Sequence, residues 1–136
     1  MRFTADLGLL PQMLCYICEQ ARQRGVSAAL VSKIELACEE AIVNIVSYAF
    51  PQQKGEIEIS FSQQGQRFEV IIQDKGRPFN PIESEIDPQF DVAIQERFIG
   101  GLGIFLIRKL MDESTYQRVN DTNILRMAIR LDVDHD

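Results

Sequence analysis

Apolar positions along the chain change their period twice, and those changes divide it into elements. Leu10, Leu14, Ile17, Cys18 and Ala21 fall three or four residues apart, which predicts a helix from Leu10 to Arg24 ended by Gly25. Ser27 then offers a hydroxyl to cap a second, longer helix, whose apolar face Leu30, Ile34, Ala37, Ala41, Ile45 and Tyr48 runs until Pro51. After Gly55 the pattern becomes alternation. Ile57, Ile59 and Phe61 precede Gln64-Gly65 and Phe68, Val70 and Ile72 follow it, as the two strands of a hairpin require. A second hairpin is predicted over 113–119 and 123–131 around Asn120-Asp121, and residues 2–7 supply an edge strand.

Between the hairpins, residues 77–99 hold three prolines, several acids and no clean period, and a loop that long in a compact domain is functional or mobile. It closes at Gly100-Gly101-Leu102-Gly103. The run from Ile104 to Met111 is apolar nearly all round, which predicts a buried helix with Arg108 and Lys109 near its C-terminal end. The order strand, helix, helix, hairpin, loop, helix, hairpin predicts an α+β two-layer sandwich: a mixed, mostly antiparallel sheet with helices on one face.

The length of 136 residues leaves room for one domain, 1–136. Fourteen Lys and Arg against 20 Asp and Glu give a net charge of −6, a surface that repels a phosphate backbone, so direct nucleic-acid binding is not expected. No apolar run is long enough to span a membrane, and residues 1–6 lack the basic and apolar segments of a signal peptide; the expected address is the cytoplasm. The three cysteines, Cys15, Cys18 and Cys38, are expected to be reduced. Cys15 and Cys18 have the spacing of a metal-binding pair, but they lie in a helical pattern with no second pair, and read as core packing. His135, the only histidine, sits in an acidic tail, so a histidine-based mechanism is not expected. The acids Glu83, Glu85, Asp87, Asp91 and Glu96 read as a solvated surface, with partner recognition as the other use.

Three segments could carry chemistry. Glu40 and Asn44 stand one helical turn apart; the carboxylate can accept a proton and the carboxamide oxygen is a hard ligand suited to Mg²⁺, although such pairs also occur on solvated helix faces. Asp74-Lys75-Gly76 follows an apolar strand, where the carboxylate can accept a hydrogen bond from an exocyclic amine and glycine lets a flat ring approach the backbone. The same residue types also form ordinary turns. Gly100-Gly101-Leu102-Gly103-Ile104 leads into a helix, so its N–H groups can cradle an anion, but glycines also serve packing there. It lacks the Lys and Ser/Thr of a P-loop and does not follow a strand as a Rossmann turn does.

Taken in order, the helix Glu-x-x-x-Asn, the strand-end Asp-x-Gly, a long lid and a Gly-x-Gly opening a helix closely resemble the GHKL (Bergerat-fold) ATPases over nearly the whole chain. Residues 39–44, 78–81 and 100–113 further resemble the small branch of anti-sigma-factor serine kinases used in bacterial partner switching. The resemblance implies ATP and Mg²⁺ as cofactors. It makes Glu40 the general base, Asn44 the magnesium ligand and Asp74 the acceptor for the adenine amine. Gly76, Phe79, Gly100, Gly101, Leu102, Gly103 and Ile104 would also bind nucleotide, Gly101 and Gly103 as the phosphate-loop glycines, and 77–99 would be the ATP lid. Implied partners are a sigma factor and an anti-anti-sigma protein phosphorylated on serine, with the chain itself a homodimer. Tyr48 stands where the family often has His, and Phe50 where Tyr is frequent. A rival class is a nucleotide-gated protein-binding module with negligible phosphoryl transfer, against which the presence of both Glu40 and Asn44 argues. A histidine-kinase fragment is disfavoured, because no helical phospho-acceptor domain is expected before residue 1.

Overall fold

The computed structural model describes residues 1–50, 55–82 and 106–132. Ser27 caps the long helix as its position promises: its backbone is extended and its Oγ accepts from the Leu30 N–H. That helix, α2, is α-helical over Ala28–Asn44, and α1 spans Leu10–Gln23. The strand expected over 2–7 is only β1, Arg2–Thr4, because Asp6 Oδ1 accepts from the Gly8 N–H at 2.9 Å and turns the chain into a short 3₁₀ segment, Leu7–Leu9. The helix expected to run to Pro51 leaves α-helical form at Asn44 and continues as a π-helical turn, Ile45–Ala49. Of the apolar run 104–111, residues 106–110 are described and helical, forming α3.

Both hairpins are present. β2 (Glu56–Gln64) and β3 (Arg67–Asp74) turn at Gly65, whose φ of 60° suits glycine. β4 (Glu113–Val119) and β5 (Thr122–Arg130) turn at Asn120 and Asp121, with φ of 51° and 63°; paired left-handed residues match the strand twist. The sheet order is β1-β2-β3-β5-β4 and every described ladder is antiparallel, so the α+β sandwich holds and its sheet is more uniform than expected.

Strand alternation decides the layers. Ile57, Ile59, Phe68, Val70, Ile72, Leu125, Met127 and Ile129 join one buried cluster with Met13, Ile17 and Ala21 of α1, Ile34, Ala37 and Ala41 of α2, and Ile107 of α3. The alternate positions carry ion pairs instead: Glu69 meets Arg67 at 3.3 Å and Arg126 at 3.1 Å, and Arg67 reaches Glu113 at 3.0 Å. Cys18 and Cys38 lie in the core while Cys15 is exposed, so core packing describes only two of the three free thiols. Burial, with a hydrogen bond to Glu35, pushes the Cys18 thiol up to about 11, well away from a reactive thiolate. His135 and the loop acids lie outside the described residues.

The same alternation carries a polar row into the apolar layer. Ile57, Asp74, Asn123 and Arg118 are cross-strand neighbours through β2, β3, β5 and β4, so the core face ends in three polar side chains.

Candidate functional site

α2 contributes Glu40 and Asn44. Asn44 is 2% exposed, against the solvated-face alternative. Among the described residues, the buried side-chain polar atoms without a hydrogen-bond partner are Glu40 Oε2 and Asn44 Nδ2. Buried polar atoms left unpaired cost free energy, and these two stand one helical turn apart with hydrogen-bonding capacity unused. Burial, and secondarily the charge of Glu39, hold the Glu40 carboxyl above the usual carboxylate range.

β3 contributes Asp74, 5% exposed at the strand end. Its Oδ1 accepts from the Gly76 N–H and from Asn123 Nδ2, both at 2.9 Å. Burial raises its pKa, opposed by the Asn123 and Gly76 hydrogen bonds and by the charge of Arg118.

The π-helical turn joins these two contributions. The Ala49 carbonyl accepts from the Arg77 N–H at 3.0 Å, the Tyr48 carbonyl accepts from Arg77 Nε at 2.7 Å, and the Tyr48 and Phe79 rings lie 5.3 Å apart. A Cβ on Gly76 would stand 2.5 Å from the Ala49 carbonyl oxygen. Glycine is thus required here by the protein's own helix, whereas the sequence pointed to room for a flat ring. Gly76→Ala is expected to destabilise the fold by about 1–3 kcal/mol, as overpacking does; urea unfolding measures it, and an unchanged midpoint would mean that the turn yields freely.

Glu40, Asn44, Asp74, Gly76 and Phe79 therefore lie on two segments docked through Tyr48 and Ala49. Gly100, Gly101, Leu102, Gly103 and Ile104, and lid positions 83–99, lie outside the described residues. Sequence reasoning missed Asn123, Arg118 and Tyr116. The available signal was a polar Asn123 at the head of the inward series Leu125, Met127, Ile129.

The sequence of residues 3–129 matches the family described as the histidine kinase-like ATPase domain. The chain belongs to that family. Membership brings ATP use with it and agrees with the resemblance to the GHKL superfamily. Among its relatives, the "serine-protein kinase RsbW" of Bacillus cereus (strain AH187) is 32% identical over 97 residues, 68% of this chain and 60% of the relative. The protein of that name from Listeria monocytogenes serovar 1/2a is 36% identical over 98 residues, 68% of this chain and 62% of the relative. The chain thus spans about three-fifths of the length of these relatives. Solved structures superpose on it at low identity. The catalytic domain of histidine kinase ThkA has a TM-score of 0.52 at 13% identity, covering 96% of this chain and 95% of that one. The SiaB–SiaC complex of Pseudomonas aeruginosa has a TM-score of 0.55 at 13% identity, covering 95% of this chain and 88% of that one. No described helix is long and apolar enough to cross a membrane.

Proposed function

We propose that this histidine kinase-like ATPase domain, residues 1–136, is an ATP-dependent protein serine/threonine kinase of the anti-sigma type, acting on an anti-anti-sigma protein. It also binds a sigma factor, works as a homodimer and acts in the cytoplasm. The observation that carries this reading is the unpartnered pair Glu40 Oε2 and Asn44 Nδ2 on one strip of α2. A carboxylate with a raised pKa and an uncommitted carboxamide are what general base catalysis beside a metal-bound triphosphate needs. The names of the relatives, serine-protein kinase, support the same reaction.

Mg²⁺ usually takes few protein oxygens and completes its shell with phosphates and water. Among the described residues, no group of three or more His, Cys, Asp or Glu able to hold a metal occurs, and the Nδ2 of the buried Asn44 carboxamide has no hydrogen-bond partner. In that shared mode Asn44 would offer its Oδ1 to an ion that comes with the nucleotide. An ion held there by Asn44 would supply neutralisation of phosphate charge. Asp74 accepts the adenine amine, Gly76 and Phe79 border the base, and Glu40 takes the proton of the attacking serine hydroxyl.

The test is incubation of the protein with γ-labelled ATP and candidate antagonist proteins of its own cell. Label on a serine of one of them supports the kinase; nucleotide-dependent capture with no transfer would replace it by the nucleotide-gated binding module. For the metal, Asn44→Ala is expected to weaken ATP binding about tenfold in Mg²⁺, the worth of one charge-assisted contact, and far less in EDTA. Calorimetry under both conditions decides, and equal losses would make Asn44 structural.

A further inference from the structure

We propose that Asn123 is a positioning residue that sets the site's preference for a 6-amino purine, by fixing Asp74 so that its Oδ2 is left as a pure acceptor. The inference rests on the reading of Asp74 as the adenine partner and adds the residues that make that reading selective.

Asn123 is 3% exposed and sits opposite Asp74 in the β3–β5 ladder. Its Nδ2 donates to Asp74 Oδ1 and to the Arg77 carbonyl, each at 2.9 Å. Its Oδ1 accepts from Arg118 Nη1 at 2.9 Å and from the Tyr116 hydroxyl. These four bonds use the whole capacity of a carboxamide. They also permit one orientation. Turned over, the amide would set oxygen against a carboxylate and a carbonyl, and NH₂ against a guanidinium. Asp74 Oδ1 thus always meets a donor from Asn123, and it takes a second from the Gly76 N–H at 2.9 Å. No described residue donates to Oδ2.

Selectivity follows from how this arrangement opposes the effect of burial on the Asp74 carboxyl. Burial favours a protonated Asp74, whose hydroxyl could serve the 6-oxo group of guanine or hypoxanthine. The Asn123 amide, the Gly76 amide and the Arg118 charge favour the carboxylate, which accepts from an amine and repels a 6-oxo group. Arg118 Nη1 also donates to the Gly76 carbonyl at 3.0 Å, so the same cluster holds the segment that carries the acceptor.

The experiment compares ATP with inosine triphosphate, which carries an oxygen where ATP carries the amine, by calorimetry on the full chain. The parent is expected to prefer ATP, Asp74→Asn to lose or reverse that preference, and Asn123→Ala to lower the ATP-to-inosine-triphosphate affinity ratio about tenfold, the worth of a hydrogen bond to a charged group. If Asn123→Ala does not fold, Tyr116→Phe, which deletes one hydroxyl, decides through a smaller drop of about threefold. A merely structural Asn123 would lower stability, or weaken both nucleotides equally, and leave the ratio alone; that result, or an unchanged ratio in Tyr116→Phe where it decides, overturns the proposal while Asp74 keeps its role. An unchanged ratio in Asp74→Asn removes the adenine reading itself and the proposal with it.

Discussion

Glu40→Gln is expected to slow phosphoryl transfer to a protein serine by about 10²–10⁴-fold while Mg·ATP binding survives. Glutamine keeps the shape of the side chain and loses only the ability to take a proton. Phosphoryl transfer passes through a loose transition state, so positioning counts beside basicity, and Glu40→Ala should lose clearly more than Gln does. Single-turnover kinetics with labelled ATP measure both, and a Gln variant as fast as the parent would remove the base assignment. The raised pKa of Glu40 fixes two signs. Transfer should rise with pH as Glu40 ionises, along a limb above the ordinary Glu value of about 4.3. A carboxyl whose pKa is raised on folding adds stability below its unfolded pKa and loses it as pH climbs through the folded one. The Gln variant should therefore gain on the parent between acid and neutral pH, as thermal melts at both ends would show.

Asp74→Asn is expected to weaken ATP by about 10²-fold while leaving the fold intact. The surroundings dictate how the new amide sits. Gly76 N–H and Asn123 Nδ2 both donate to the Oδ1 position, so the amide oxygen must stay there and NH₂ must take the place of Oδ2. Adenine's amine would then face a donor, which loses a charge-assisted bond and leaves two unpaired N–H groups. Since burial raises the pKa of Asp74, removing its charge costs the folded state little at neutral pH. Unchanged ATP affinity in calorimetry would show that the adenine site is elsewhere.

Much of this was legible in the chain, for stated reasons. Ser27 at a cap, Gly65 and Asn120-Asp121 at turns, and strand alternation each act locally, so their patterns point directly to α2 and the two hairpins. The π-helical turn was not legible, because Ile45 and Tyr48 continue the apolar face of α2 and the change lies in backbone register. Nor was the shortness of β1, where the Asp6 side chain stops an otherwise acceptable strand. Glu40, Asn44 and Asp74 could be named from residue type and spacing. Asn123, Arg118 and Tyr116 could not, since their importance arises only when β5 and β4 bring them beside Asp74.

The π-helical turn Ile45–Ala49 makes the number of residues there matter more than their kind. A π turn carries one residue beyond what an α-helix would use for the same advance, and each residue turns the chain by about 100°. Deleting one residue within 45–49 would let the α-helix run on and swing the Ala49 carbonyl away from Gly76 and Arg77. The core face of α2 would be untouched by that swing. Insertions and deletions in this short stretch would therefore re-aim the helix end against the strand-end turn in one discrete step, a change that side-chain replacement at the same positions would not reproduce.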